Sequence, residues 1–280
     1  MSKGIKRLLI GVAVLVVVVY LFTVHWLLGV AAIVLGIGWA YYRRRDAVYT
    51  QRANAALMKG NVQEALAHLE TAYRLNPNNM NTAMGFGYQL LKAGQVERAD
   101  EVLGALLAAA KDESDKSRIR MNVALVRWKQ GKLDEAIAML EGIHEKMKTT
   151  VLYGSLGYLY IERGDLDQAL AYNREAFEYN DSDAVIVDNW CLTNIRRGEW
   201  QQALEAADKL AALKPKFPEA YYHIGLVRKH QGDPAGALEL FETALGKPFT
   251  AVSTESRETI ERERDELAEA ARAGEAEMAK

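Results

Sequence analysis

Gly60-Asn-Val-Gln-Glu-Ala65 opens a pattern that recurs through most of the chain. It returns as Gly94-Gln-Val-Glu-Arg-Ala99, Gly131-Lys-Leu-Asp-Glu-Ala136 and Gly164-Asp-Leu-Asp-Gln-Ala169. Two more copies follow, Gly198-Glu-Trp-Gln-Gln-Ala203 and Gly232-Asp-Pro-Ala-Gly-Ala237. Successive glycines stand 34, 37, 33, 34 and 34 residues apart. A fixed period near 34 marks stacked helical hairpins. The glycine suits the left-handed residue that ends one helix, and the alanine suits the crossing point on the next.

With the glycine at the fifteenth position, the repeats run 46–79, 80–116, 117–149, 150–183, 184–217 and 218–249. Each half reads as one helix with apolar residues at helical spacing. In the fourth repeat Tyr153, Leu156, Gly157 and Tyr160 share one face, and Ala169, Tyr172 and Ala176 face them. Asp165 is placed to cap the second helix, and Pro234 after Asp233 suits a first helical turn.

These positions resemble the tetratricopeptide repeat (TPR) family. The small eighth position of that pattern is Ala53, Gly87, Ala124, Gly157, Cys191 and Gly225, and the alanine at position twenty is present six times. The terminal proline is matched at Pro77 and Pro215. The resemblance implies an all-α helical-hairpin solenoid of about six repeats, spanning 46–249. Arg52 and Ala56 replace large apolar residues in the first repeat, as expected of a terminal unit. Asn173, Asn194 and Ala207 interrupt the apolar pattern, so the fourth and fifth repeats are expected to be the softest.

Residues 1–45 read as a membrane anchor. From Leu8 to Tyr42 there is no Asp, Glu, Lys or Arg. One helix of that length would reach about 52 Å, against roughly 30 Å of hydrocarbon. Two short transmembrane helices, 8–24 and 26–42, fit better, turning near Thr23–Trp26. Lys3, Lys6 and Arg7 lie at one outer end and Arg43, Arg44 and Arg45 at the other. A hairpin puts both clusters, and the repeats, on the cytoplasmic side of the cell membrane. Ala32, Gly36 and Ala40 form a small-residue ridge on which the first span is expected to pack, with self-association between chains as the rival. The segment 250–280 is expected to supply a charged capping helix over Thr254–Ala273 and a frayed tail.

Outside the anchor the chain has 29 bases against 37 acids. That balance repels a phosphate backbone, so nucleic acid is not an expected partner. Cys191 is the sole cysteine, which excludes an intrachain disulfide and a multi-cysteine metal site. His25, His68, His144, His223 and His230 lack metal-ligand spacing, and no phosphate-binding glycine loop is present. No cofactor, metal or catalytic residue is expected, and the protein reads as a non-enzyme. An enzyme on a helical scaffold is the least favoured reading.

What remains is a surface. By resemblance, first-helix positions two, five, nine, twelve and thirteen of each repeat face a concave groove. They nominate Met84, Tyr88, Lys92, Arg118, Met121, Leu125, Trp128, Lys129, Tyr158, Ile161, Arg196 and Tyr222. About half of the positions so mapped are expected to pack against neighbouring hairpins instead. An aromatic trough with basic edges suits an extended peptide or one face of an amphipathic helix. The function expected is a membrane-tethered adaptor or scaffold that binds a protein or peptide partner, with lipid met through residues 8–42. The alternative is an accessory or regulatory subunit of a membrane-bound assembly or biosynthetic complex.

Overall fold

The computed structural model describes residues 3–278, and among them every regular element is helical. The chain divides into two compact units, Met1–Ala83 and Met84–Lys280.

In the first unit, α1 (Lys3–Val24) and α2 (Trp26–Arg43) are separated by His25 alone. His25 is extended, and its Nδ1 accepts from the Leu27 amide at 3.2 Å, which caps α2. Large apolar side chains cover both helices and are open, Leu8 at 68% and Leu35 at 73%. Gly4–Val24 is long and apolar enough to cross a membrane. Trp26–Tyr42 reaches that standard only together with the following helix, from which it is bent by 63°. Of the two expected spans, then, one meets the requirement by itself; the second is cut short by the His25 break and by that bend. Of the expected ridge Ala32, Gly36 and Ala40, only Ala32 is half-buried. The two helices meet at the turn, where the Phe22 ring lies against Gly29, while Gly36 and Ala40 are exposed.

Next, α3 (Arg45–Met58) and α4 (Val62–Leu75) form the first hairpin. The Asp46 carboxylate at the start of α3 accepts from Asn76 Nδ2 at 2.8 Å and Asn79 Nδ2 at 3.1 Å. Burial works to raise its pKa, but those bonds and the helix-start amides hold it below the usual aspartate value. Arg52 is exposed here, and Ala56 is buried.

The second unit continues with α5 (Met80–Lys92, which begins in the first), α6 (Val96–Ala109), α7 (Glu113–Lys129) and α8 (Leu133–His144). Then come α9 (Thr150–Arg163), α10 (Leu166–Tyr179), α11 (Ala184–Arg197) and α12 (Trp200–Ala212). The last are α13 (Pro218–His230), α14 (Pro234–Leu245) and α15 (Arg257–Met278).

The recurrent signature is the joint of every hairpin. Gly60, Gly94, Gly131, Gly164, Gly198 and Gly232 all have φ between 74° and 87°. At Gly94 the next amide, Gln95, reaches back to the Leu90 carbonyl at 2.9 Å, so the reversed backbone satisfies a helix-end acceptor. All six signature alanines are fully buried. The eighth position is where the helices touch: a Cβ at Gly225 would stand 2.5 Å from the Phe241 ring. Asp165 and Asp233 cap their helices by accepting from Gln168 and Gly236 amides.

The fourth and fifth repeats carry a buried polar knot. Asn173 Nδ2 donates to the Gly157 carbonyl at 3.2 Å and to Thr193 Oγ1 at 3.0 Å. Asn189 Nδ2 donates to the Gly154 carbonyl at 2.8 Å. Asn173 and Asn194 are fully buried, and each keeps a side-chain oxygen without a hydrogen-bond partner. Hydrogen bonding therefore stands where the apolar pattern lapses.

Helix α15 starts at Arg257, not at Thr254. Ile260 is its fully buried anchor, joining Tyr222, Phe241, Ala244 and Leu245. The residues before it, 246–256, are not helical.

Candidate functional site

The expected groove residues lie on the first helices of the second unit, and the structure sorts them into three groups. Met84, Tyr88, Lys92, Met121, Leu125, Trp128 and Lys129 are half-buried, and Arg118 and Arg196 are exposed. Ile161 is fully buried in the core, and Tyr158 and Tyr222 are 9% and 6% exposed. Ile161 packs among Tyr158, Leu159 and Ile186 and offers a partner nothing.

The half-buried group has a definite geometry. Trp128 meets Tyr158 edge to face, ring centres 5.4 Å apart, and Lys129 Nζ sits 3.8 Å above the Trp128 ring. Lys92 Nζ lies 5.9 Å from the Tyr88 ring centre. Burial pulls the Lys129 ammonium down from the usual lysine value, while Glu162 and Glu219 pull it up. Burial raises the Tyr88 phenol. Tyr158 is raised by burial and by its hydrogen bond to Glu162, 2.8 Å away.

Four further polar residues converge here, two of them at positions that the repeat pattern turns to the groove: Asp188, the fifth of its repeat, and Glu219, the second. His223 on α13 is fully buried, and its Nδ1 lies 2.7 Å from the Asp188 carboxylate on α11. His223 Nε2 has no hydrogen-bond partner; the Glu255 carboxylate is 4.0 Å away. One turn earlier on α13, Glu219 is 5% exposed and accepts from the Thr254 amide at 2.7 Å. Burial pushes the Glu219 carboxyl above the usual glutamate value. A hint was available: Asp188 holds the fifth position of its repeat, and His223 the sixth of the next. Glu255 and Thr254 carry no such signal, because by sequence they fall in the charged capping helix expected over Thr254–Ala273.

The Thr250–Ser253 turn completes the arrangement. It closes with the Ser253 amide on the Thr250 carbonyl at 2.9 Å, and its Ala251 amide donates to the Lys92 carbonyl at 2.9 Å. Lys92 ends α5, so its carbonyl lacks an intrahelical donor until Ala251 supplies one.

The site has the equipment for recognition: aromatic faces, cations, a helix-end carbonyl that takes an amide from outside its helix, and a buried imidazole. Among the described residues no group of three or more His, Cys, Asp or Glu is placed to hold a metal ion. Cys191 is buried, and burial raises its thiol far above the usual value, which makes it a packing residue.

Comparisons with known proteins agree with this architecture. Family models described as tetratricopeptide repeat match residues 56–125, 151–183 and 194–251. The BBSome complex member BBS4 of Bos taurus is 24% identical over 201 residues, which cover 72% of this chain and 37% of that protein. Tetratricopeptide repeat protein 28 of Mus musculus is 27% identical over 84 residues, 30% of this chain and 3% of that one. The chain thus spans well under half the length of these curated relatives. Among solved structures, the anaphase-promoting-complex hetero-tetramer Cut9-Hcn1 superposes with a TM-score of 0.61 at 14% identity, covering 79% of this chain and 42% of that one. The pilus biogenesis factor PilW superposes at 0.57 with 14% identity, covering 72% and 93%. Pseudomonas aeruginosa PilF gives 0.55 at 16%, covering 72% and 91%. Six glycine-jointed hairpins, matched at both ends and in the middle, are a protein-binding scaffold: this chain belongs to the tetratricopeptide repeat family.

Proposed function

We propose that this protein is a non-enzymatic adaptor, tethered to a membrane by residues 8–42, that holds a protein partner in the groove of its second unit. The observation that carries the reading is the Trp128 platform, half-buried, edge-on to Tyr158 and roofed by Lys129. Aromatic side chains of this kind, with a cation alongside, supply much of the energy at recognition surfaces. Tyr88 with Lys92 repeats the arrangement on the preceding hairpin. Exposed apolar residues all round α1 and α2 support the tether, since water does not favour such a surface. Basic clusters at both outer ends of residues 1–45 support a two-span hairpin with the repeats in the cytoplasm. A tether raises the local concentration of the groove near other membrane proteins, so weak contacts suffice.

The test is crosslinked capture from detergent with the full chain and its Tyr88→Ala/Trp128→Ala variant. Capture is expected to vanish in the variant while helicity and melting stay close to wild type. Equal capture by the two proteins overturns the groove. Protease added outside intact cells should leave the repeats whole, and cleavage there overturns the topology.

A further inference from the structure

The segment Thr250–Ser256 does what a bound peptide would do. Its non-helical backbone gives one amide to the Lys92 carbonyl at the end of α5 and another to the Glu219 carboxylate at the start of α13. Ala251 Cβ lies 3.7 Å from where a Cβ on Gly94 would stand. The segment therefore spans from the second repeat to the sixth. Its Glu255 side chain is drawn in beside His223, 4.0 Å from Nε2, and its charge adds to the burial that raises the Tyr158 and Tyr222 phenols. His223 Nε2 is fully buried, unpartnered and within 4.0 Å of that carboxylate, a donor placed for an acidic group that has not fully closed on it.

We infer that Thr250–Ser256 is an intramolecular ligand of the groove, and that the natural partner is an extended acidic peptide that displaces it by putting its own carboxylate on His223. This rests on the adaptor reading above. Three features of the strap describe the peptide: two backbone amides for Lys92 and Glu219, and a Glu or Asp just after the second of them. Neither backbone contact reads a side chain, so the acidic residue supplies the selectivity. A tethered segment competes at an effective concentration on the order of millimolar, so a free peptide is excluded unless it binds tightly or the strap is loosened.

The experiment uses the full chain and a labelled synthetic peptide with the sequence of residues 249–257. In the variant Ala251→Pro/Thr254→Pro/Glu255→Gln the strap loses both amides and its charge, while the repeats and α15 are untouched. That variant is expected to bind the peptide at least tenfold more tightly than wild type does. The same peptide with Glu255→Gln is expected to lose most of that gain. A variant with unchanged helicity that binds no better than wild type overturns the inference. Should the triple variant fold poorly, Glu255→Gln alone is read by hydrogen exchange at the Ala251 amide; an unchanged rate overturns the inference as well. If the strap variants behave as wild type while Tyr88→Ala/Trp128→Ala still abolishes partner capture, the strap role fails and the adaptor stands. If capture never depends on Tyr88 and Trp128, the adaptor reading itself has failed.

Discussion

His223 on α13 and Asp188 on α11 are joined at 2.7 Å in a buried setting, a bond that ties the sixth hairpin to the fifth. Burial alone would lower an imidazole. Here the Asp188 charge and hydrogen bond, with Glu255 beyond Nε2, outweigh it and hold His223 at about 10. The groups facing it are Asp188 from α11, Glu255 from the strap, and Glu219 and Tyr222 on its own helix. A folded pKa raised above the unfolded value of 6.5 gives stability that is complete below 6.5 and is lost as pH rises through about 10. Raised Glu219 has the same sign in a more acid window: its contribution is complete below 4.5 and is lost as pH rises through its raised value. Melting temperature measured from pH 6 to 10 should therefore fall steadily. Asp188→Asn should flatten that profile and cost about 1.5–3 kcal/mol at the acid end.

Gly225→Ala tests the helix crossing. The new methyl would meet Phe241 ring carbons at 2.5 and 2.7 Å, and Phe241 is itself fully buried, so the helices must part. A loss of about 1–3 kcal/mol is expected in denaturant titration. No loss would mean that α13 and α14 yield without cost.

Gly164→Ala tests the joint. Nothing lies within 4 Å of the added Cβ, so any cost comes from the backbone, held at φ +87°. About 1–2 kcal/mol is expected, and less for Gly164→Asn, whose side chain tolerates the left-handed region. Equal stabilities for the three proteins would contradict the strain.

Ile260→Ala tests how α15 is held. Ile260 is fully buried, and Leu267 packs only partly against the same cluster. Removing the anchor should cost the docked helix about 2–5 kcal/mol. Trypsin should then cut at Arg262 and Arg264 well before the repeats. Unchanged cleavage would show that the ion pairs Lys229–Glu263 and Arg264–Glu242 suffice.

The hairpins were legible because their determinants are local and repeat. Gly131 must turn and Ala136 must be small whichever protein partner is bound, so spacing alone reveals them. The polar knot was legible only as a gap: Asn173 reads as a lapse in an apolar stripe until Gly157 and Thr193 are seen to receive its amide. The strap was not legible at all. Thr250–Ser256 has no period of its own, and what shapes it is a carbonyl on α5 and a carboxylate on α13. Such contacts leave no trace in the segment they hold. The aromatic platform falls between these cases: register nominated Trp128 and Tyr158 together, but only packing showed that Ile161 turns inward.

The Ala251–Lys92 hydrogen bond also gives the molecule an order in time. Every hairpin closes on near neighbours in sequence and can form as soon as it is made, whereas this bond joins the second repeat to a residue beyond the sixth. At about 5–20 residues per second, synthesis separates its two halves by roughly ten to thirty seconds. For that interval the early hairpins stand formed with the Lys92 carbonyl uncovered. On the strap inference, a partner present during translation would meet no competitor, while one that arrives later would have to evict Thr250–Ser256.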